Sequence, residues 1–164
     1  MAETLAIAGS LAAVMQLSKS AQKLARIAYQ LATDVGAASE EMKRFATQVQ
    51  SFSNTVKVAQ FGLHQYCTEH RHSRVVTYIS KHRVLEDIGS EAEHVQQHLQ
   101  AIRRQVQTLR SRSMLWATFK WLWNKASILE LYPEMESIKT CLGLLLVTTQ
   151  LEATRDSGGL EKEM

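Results

Sequence analysis

Apolar residues recur every three or four positions along most of this chain, which is the spacing of one face of an α-helix. Two such series are long and unbroken. The first consists of Met42, Phe45, Val49, Phe52, Val56, Ala59, Leu63 and Tyr66, and the second of Leu85, Ile88, Ala92, Val95, Leu99, Ile102, Val106 and Leu109. Each series predicts a long helix with one narrow buried face.

The N-terminal part predicts a third long helix whose two halves differ. The stretch from Thr4 to Ser18 is uncharged. As a helix it rises roughly 22 Å, which is too short to cross a hydrocarbon core of about 30 Å. In the second half the apolar residues Leu17, Ala21, Leu24, Ala28 and Leu31 share one side, and the basic residues Lys19, Lys23 and Arg26 the other. We expect Gly36 to end this helix, because glycine favours helix C-termini.

The C-terminal part predicts a fourth long helix. Its apolar series is Ile128, Leu131, Met135, Ile138, Leu142, Leu145 and Thr149. Ser127 and Glu130 match a capping box, which indicates a helix start. Pro133 favours either a start or a kink at that point. Earlier in the chain the helical spacing is lost around residues 68–73, and RVVTYIS (residues 74–80) predicts a short helix of its own.

These patterns predict an all-α fold, an antiparallel helical bundle of four long helices plus one or two short helices, because each apolar face needs partners to leave water. The chain has 164 residues and is 45% hydrophobic, enough for one core. One proline and seven glycines are few for a β-rich protein. We assign residues 1–152 to the bundle and residues 153–164 to a polar tail or the start of a linker.

Charge is small in total, at +3, but unevenly distributed. No acidic residue occurs from Thr4 to Thr33 or from His94 to Leu129. These two stretches hold nine of the nineteen basic residues, namely Lys19, Lys23, Arg26, Arg103, Arg104, Arg110, Arg112, Lys120 and Lys125. If the stretches lie together, they form a positive surface that attracts the phosphates of lipid or nucleic acid; the alternative is scattered, solvated charge.

The sequence predicts neither an enzyme nor a cofactor. It lacks the glycine-rich phosphate loops, the nucleophile elbow and the zinc-protease motif. The residues with metal-ligand chemistry are His94 and His98, four apart, and His64, Cys67, His70 and His72 near a predicted helix end. Zinc needs three or four convergent ligands, and the pattern does not indicate convergence, so we predict no metal. Two cysteines, Cys67 and Cys141, suit a reducing compartment as small core residues. The N-terminus has no positive signal-peptide region, which favours a cytoplasmic location.

Residues 110–127, RSRSMLWATFKWLWNKAS, contain all three tryptophans, four basic residues and no acid. Tryptophan and lysine together suit the membrane interface, so Trp116, Trp121 and Trp123 are candidate interfacial residues. The alternative is that the tryptophans anchor the core. We expect Leu115, Phe119 and Leu122 to face the bundle and the basic and indole groups to face outward. Nucleic acid could stack on the same residues, but the apolar N-terminus would then have no role, so we predict no nucleic-acid partner.

The sequence resembles the fungal HeLo-like domains at the N-termini of NLR-like (STAND) proteins and related cell-death effectors. The resemblance rests on MAETLAIAGSLAAVMQLSKSAQKLARIAYQLATDV, on the long second helix, on LWATFKWLWNK and on MESIKTCLGLLLVTTQ. It covers the chain to about Leu151. It implies a helical bundle that oligomerises after a signal from an NTPase domain or an amyloid, moves to the plasma membrane and disrupts it.

The resemblance also implies roles for particular residues. The membrane-active positions of the first helix are Leu5, Ile7, Leu11, Val14 and Leu17. We add Arg103, Arg104, Arg110, Arg112, Lys120 and Lys125 as candidate contacts to anionic lipid phosphates. The competing hypothesis is a non-lytic adaptor that binds other helical domains. The chain shows neither an NTPase domain nor an evident amyloid motif, so we expect either an excised domain or activation from elsewhere.

Overall fold

The computed structural model of the 164-residue chain describes residues 2–35, 39–109 and 114–160, with the side chains of residues 5, 7–33, 40–105, 107–108 and 128–157. These ranges contain five helices and no strand. The helices are α1 (Ala2–Val35), α2 (Ser39–Glu69), α3 (Arg74–Lys81), α4 (Val84–Leu109) and α5 (Met114–Leu160). The predicted all-α bundle of four long helices and one short helix is confirmed.

The predicted break between the second and third helices is also confirmed, because α2 ends at Glu69 and α3 begins at Arg74. The hydroxyl of Ser73 accepts the backbone N–H of Val76 at 3.0 Å and caps α3. Between α3 and α4 the chain reverses at Arg83, whose φ of 53° lies in the left-handed region.

The start of the last helix differs from the prediction. α5 begins at Met114 and continues without a break through Ser127, so the predicted helix start at the capping box is wrong. A serine caps a helix only where the chain before it is not helical, and residues 114–126 contain no glycine or proline. The tryptophan-containing segment therefore forms the first turns of α5 rather than a separate connection.

α5 also accommodates Pro133 and extends beyond the predicted end of the bundle. Proline within a helix leaves the carbonyl four residues earlier, here that of Leu129, without its partner. Pro133 and Leu129 are both exposed, so water can reach that carbonyl. The helix continues to Leu160, and the boundary predicted at residue 152 lies inside it.

The four long helices form a ring in which α1 packs mainly on α2 and α4, and α5 packs on α2 and α4. Consecutive long helices run in opposite directions. Two pairs of neighbouring helices run parallel, namely α2 with α5 and α1 with α4. Along α2 and α5, the Phe45 ring lies 6.3 Å from the Tyr132 ring, and further on Tyr66 bonds Glu152. Near the starts of α1 and α4, Ser10 and Gly89 are so close that a methyl group added at Gly89 would lie 3.1 Å from the Cα atom of Ser10. Both helices therefore start at the same end of the bundle.

The residues predicted to form the apolar faces are buried wherever their side chains are described, except Tyr66 and Leu145, which are half-buried. The buried residues of these series include Leu17, Ala21, Leu24, Ala28 and Leu31 on α1, and all of the predicted α2 series except Tyr66. They also include Leu85, Ile88, Ala92, Val95, Leu99 and Ile102 on α4, and Ile128, Leu131, Met135, Ile138 and Leu142 on α5. Val106 and Leu109 lie outside the described side chains.

One polar contact crosses this core, and the apolar pattern did not predict it. Ser18 donates its hydroxyl to the Ser53 carbonyl at 3.0 Å, and Ser53 donates to the Ser18 carbonyl at 2.8 Å. Both side chains are buried. Because each hydroxyl has a partner, the pair lets α1 and α2 approach closely without leaving an unsatisfied polar group.

Candidate functional site

The five residues predicted to be membrane-active are divided between the surface and the core. Leu5 is 78% exposed, and Ile7 is half-buried against the core cluster. Leu11, Val14 and Leu17 are each no more than 2% exposed. In this closed bundle three of the five predicted residues therefore stabilise the fold, and they reach a membrane only if α1 leaves its neighbours.

From Leu5 to Gln16, the described outer face of α1 carries no charged side chain. Its exposed residues are Leu5, Ala8, Gly9, Ala12 and Gln16. A surface helix of a globular protein normally has charged residues on this face. The second half of α1 follows that rule, because Lys19, Lys23 and Arg26 are all exposed. One helix therefore combines an uncharged stretch, residues 4–18, with a basic stretch, residues 19–33.

The predicted phosphate contacts are only partly within the described residues. Arg104 is exposed, and Arg103 is half-buried with an Nε atom that has no hydrogen-bond partner among the described residues. Arg110 and Arg112 lie outside the described residues. The backbone of α5 includes Trp116, Lys120, Trp121, Trp123 and Lys125. The side chains of these five residues lie outside the described part of the structure. The same holds for the side chains of Leu115, Phe119 and Leu122, which were predicted to face the bundle.

The fold places basic residues of two neighbouring helices at the same level of the bundle. Since α1 and α4 start at the same end of the bundle, the second half of α1 is level with the last turns of α4. Lys23 on α1 is thus at the height of Arg103 on α4, and no acidic residue occurs from Lys19 to Thr33 of α1 or from His94 to Leu109 of α4. Because α1 packs on α4, the acid-free parts of these two helices are neighbours in the bundle.

The uncharged and basic regions are separate. The first turns of α1 lie beside the ends of α2 and α3, whereas Lys23 lies about 27 Å beyond Leu5 along the helix axis. The tryptophan segment opens α5 directly after α4 ends, so it belongs to the basic end. Leu5 and Lys23 therefore lie at different ends of the bundle.

A second exposed apolar surface was missed from sequence. On α5, Leu144, Val147 and Leu151 are 64%, 52% and 66% exposed and share one face by their spacing. They belong to an uncharged run from Thr140 to Leu151. The run CLGLLLV (residues 141–147) is apolar on every side of the helix, whereas packing against the bundle requires only one apolar face. This excess of apolar residues was the signal in the sequence for an exposed apolar surface.

The C-terminal half of α5 is tied to the α2–α3 connection through Glu152. Its carboxylate accepts the Tyr66 hydroxyl at 2.7 Å and the backbone N–H groups of Arg74 at 2.9 Å and Val75 at 3.2 Å. These N–H groups are unpaired donors at the first turn of α3, where the helix dipole favours an anion. Glu152 therefore holds the start of α3 and the end of α2 against α5.

The tether changes the titration of both partners. Burial by itself raises the pKa of Glu152, but the bonds from Tyr66, Val75, Ser73 and Arg74 outweigh it and lower the pKa below its ordinary value of 4.5. Burial raises the pKa of Tyr66, and the bond to Glu152 raises it further. Glu152 is therefore ionised, and the tether complete, at neutral pH.

We expect Glu152→Ala to lower the free energy of unfolding by about 1–2 kcal/mol at pH 7, because it removes a helix cap and leaves Tyr66 without its partner. A depressed pKa means that the stabilisation is present above the unfolded-state pKa and is lost as the pH falls through the folded-state pKa. Urea unfolding at pH 7 and at steps below pH 4.5 measures this. Glu130→Ala, at an exposed glutamate of the same helix, is the control; an equal loss in both variants contradicts the tether.

The histidine pair predicted as half of a possible metal site faces one carboxylate. His98 Nδ1 lies 3.0 Å from Glu134 Oε2, and His94 Nδ1 lies 3.9 Å from Glu134 Oε1. These contacts join α4 to α5. Within the part of the chain that the structure describes, no three His, Cys, Asp or Glu side chains are placed to share a metal ion.

Comparisons with known proteins return no match: no family model, no curated protein and no solved structure is similar to this chain. Over the described residues, no helix has an apolar stretch sufficient to cross a membrane. The functional argument therefore depends on the surfaces of the bundle itself.

Proposed function

We propose that this protein is a non-enzymatic membrane-disrupting domain of the HeLo-like kind, which executes cell death when several copies are brought together. The observation that carries the proposal is the uncharged outer face of the first turns of α1, from Leu5 to Gln16. With its buried face released, this segment presents no charged side chain to lipid. A helix that is hydrophobic all round is buried in a protein core or in a membrane, and Ser10 and Gln16 are the only polar residues from Leu5 to Gln16.

The closed bundle is a latent state in this proposal. Burying one aliphatic side chain contributes about 1.5–3 kcal/mol, so exposing Leu11, Val14 and Leu17 to water costs about 5–9 kcal/mol. That is comparable with the whole stability of an ordinary domain, about 5–15 kcal/mol. Release therefore requires both a trigger and a lipid phase in which the same side chains are buried again.

Membrane contact begins at the basic end. The exposed residues Lys19, Lys23 and Arg26 on α1, with Arg104 on α4, attract anionic lipid headgroups. The tryptophans and the lysines of residues 114–127 belong to the same end and suit the headgroup region. The resting domain is cytoplasmic in this view and binds the plasma membrane after activation, without nucleic acid or a cofactor.

Several copies act together, because one uncharged segment of α1 rises only roughly 22 Å against a hydrocarbon core of about 30 Å. A single copy must therefore thin the bilayer or tilt within it. The exposed apolar face of Leu144, Val147 and Leu151 is a suitable contact between copies. An NLR-like NTPase or an amyloid-type signal is the trigger that the HeLo-like resemblance implies.

The same face supports the alternative function, a non-lytic adaptor. A helix with an exposed apolar face can dock in the groove of another helical domain and transmit oligomerisation without lipid. The two functions differ in one property, which is binding to protein-free vesicles.

The test is co-flotation of the purified protein with neutral and with anionic liposomes, recording tryptophan emission and release of a trapped dye. We expect binding to anionic vesicles, a blue shift and leakage. Replacing Lys19, Lys23 and Arg26 by glutamate should weaken binding more than a hundredfold, since each basic residue near the surface contributes about 1 kcal/mol. The matched control replaces Lys57, Lys81 and Arg155, exposed basic residues of α2, α3 and α5, by glutamate.

The control variant should bind as the unmodified protein does. If both variants lose binding equally, net charge rather than the α1 surface attracts the protein, and the assigned docking face is wrong. If the unmodified protein does not bind anionic vesicles at low salt, the membrane function fails and the adaptor is favoured.

A further inference from the structure

A cavity of about 140 Å³ lies between the start of α1, the end of α2 and α3. Its walls are apolar where Ile7 and Leu11 of α1 meet Val76 of α3. Leu11 and Val76 are buried, and Ile7 is half-buried. A cavity of about 150 Å³ lined by such side chains accommodates a molecule of roughly six carbons, such as benzene.

The lining of the cavity also includes two basic side chains. His64 and Arg71 line it, and both side chains are exposed to solvent. Neither has a hydrogen-bond or ion-pair partner among the described residues, and no acidic residue lines the cavity. The nearest acid along the chain, Glu69, accepts a hydrogen bond from Gln65 at 2.9 Å. The donors of Arg71 are therefore available to an anion.

The remaining lining groups are neutral. Thr68 bonds its own helix, donating to the His64 carbonyl at 2.8 Å. Burial raises the pKa of the Cys67 thiol, so this side chain is uncharged at neutral pH. The cavity thus has an apolar wall, neutral polar groups and a cationic rim, which is the distribution that an amphiphile with one negative charge requires.

We propose that this cavity binds a small anionic amphiphile, an alkyl chain of about six carbons that carries one carboxylate. The chain lies against Ile7, Leu11 and Val76, and the carboxylate accepts hydrogen bonds from Arg71, with His64 beside it. Because the walls belong to α1, α2 and α3, the bound molecule holds the first turns of α1 to their neighbours. This last consequence depends on the proposed membrane function, whereas the binding does not.

The binding test needs no membrane. Hexanoate is titrated into the full chain, with 1-hexanol and hexylammonium as probes of the same length that are neutral and cationic. Chemical shifts of the Ile7 and Val76 methyl groups report occupancy. We expect saturable binding of hexanoate, and affinity at least about tenfold weaker for both other probes, because a charge-assisted hydrogen bond contributes about 1.5–3 kcal/mol.

Two variants locate the site. Arg71→Gln should weaken hexanoate binding about tenfold or more without altering hexanol binding. Ala8→Phe should abolish binding of both, because Ala8 is exposed and lines the cavity, so a larger side chain can fill it without entering the core. Arg44→Gln, at an exposed arginine of α2 outside the cavity, should bind as the unmodified chain does.

Equal binding of hexanol and hexanoate overturns the anion selectivity, and absence of saturable binding by any probe overturns the site.

Dye release from anionic vesicles then tests whether the bound molecule holds α1 in place: hexanoate should slow leakage by the unmodified chain but not by Ala8→Phe. If hexanoate binds and both chains leak at unchanged rates, the binding site stands and its control of α1 is wrong. If the unmodified chain causes no leakage, the membrane function fails while the binding result is unaffected.

Discussion

Replacing Val14 by glutamate is expected to unfold the bundle. The side chain is 0% exposed in the core between α1 and its neighbours, and an unpaired carboxylate buried there costs several kcal/mol. That cost is close to the whole stability of an ordinary domain, about 5–15 kcal/mol. Loss of the cooperative thermal transition in far-UV circular dichroism is the expected measurement.

Ala12→Glu is the matched control for Val14→Glu, because it introduces the same charge two residues away at an exposed position of the same helix. Its melting temperature should stay within a few degrees of that of the unmodified protein. An unchanged melting temperature for Val14→Glu would mean that α1 is not packed in the bundle in solution.

The combined variant Leu5→Glu and Ala12→Glu should remain folded and lose the ability to release dye from anionic vesicles. Both positions are exposed on the outer face of α1, so the charges cost little in the closed state. In a bilayer each charged side chain costs about 2.5–3.5 kcal/mol at the membrane centre. We therefore expect the leakage rate to fall by more than a hundredfold, while binding through the basic end persists.

The control for this variant is Gln48→Glu with Thr47→Glu, which places two charges on exposed positions of α2. It should leak as the unmodified protein does. If the Leu5 and Ala12 variant is folded and leaks at the full rate, α1 does not enter the membrane, and the exposed face of α5 becomes the next membrane element to test.

Burial decides which variants are informative. Leu11 and Val14 are the first choices for glutamate substitution when the uncharged stretch is considered alone. Both are at most 2% exposed, so such a variant would lose membrane activity simply because it is unfolded. Leu5 and Ala12 separate the two effects, since they contribute to the outer surface and not to the core.

Much of the fold could be predicted from the sequence because helical spacing is a local property. The series from Met42 to Leu63 and from Leu85 to Ile102 were assigned to buried faces, and those residues are buried. The break after Glu69 was predicted because the apolar residues lose their helical spacing there. The start of α5 was wrong, because Ser127 has the residue type of a cap whether or not the chain before it is helical.

The candidate site was predicted less well. The sequence identified the uncharged and the basic stretches, but it could not show that Leu5 is on the surface while Leu11 is in the core. It also gave no indication that Glu152 caps α3, because an acidic residue in a polar segment is ordinarily solvated.

The sequence by itself thus determined the helices and the residues that share each face, since both depend on neighbours within a few positions. Only the tertiary structure decided which face meets which helix. Ser18 meets Ser53 across 35 positions, and Tyr66 meets Glu152 across 86. The tether at Glu152, the cavity beneath Ile7 and the separation of the uncharged end from the basic end all follow from such contacts, because they depend on how the helices are arranged and not on the period within any one of them.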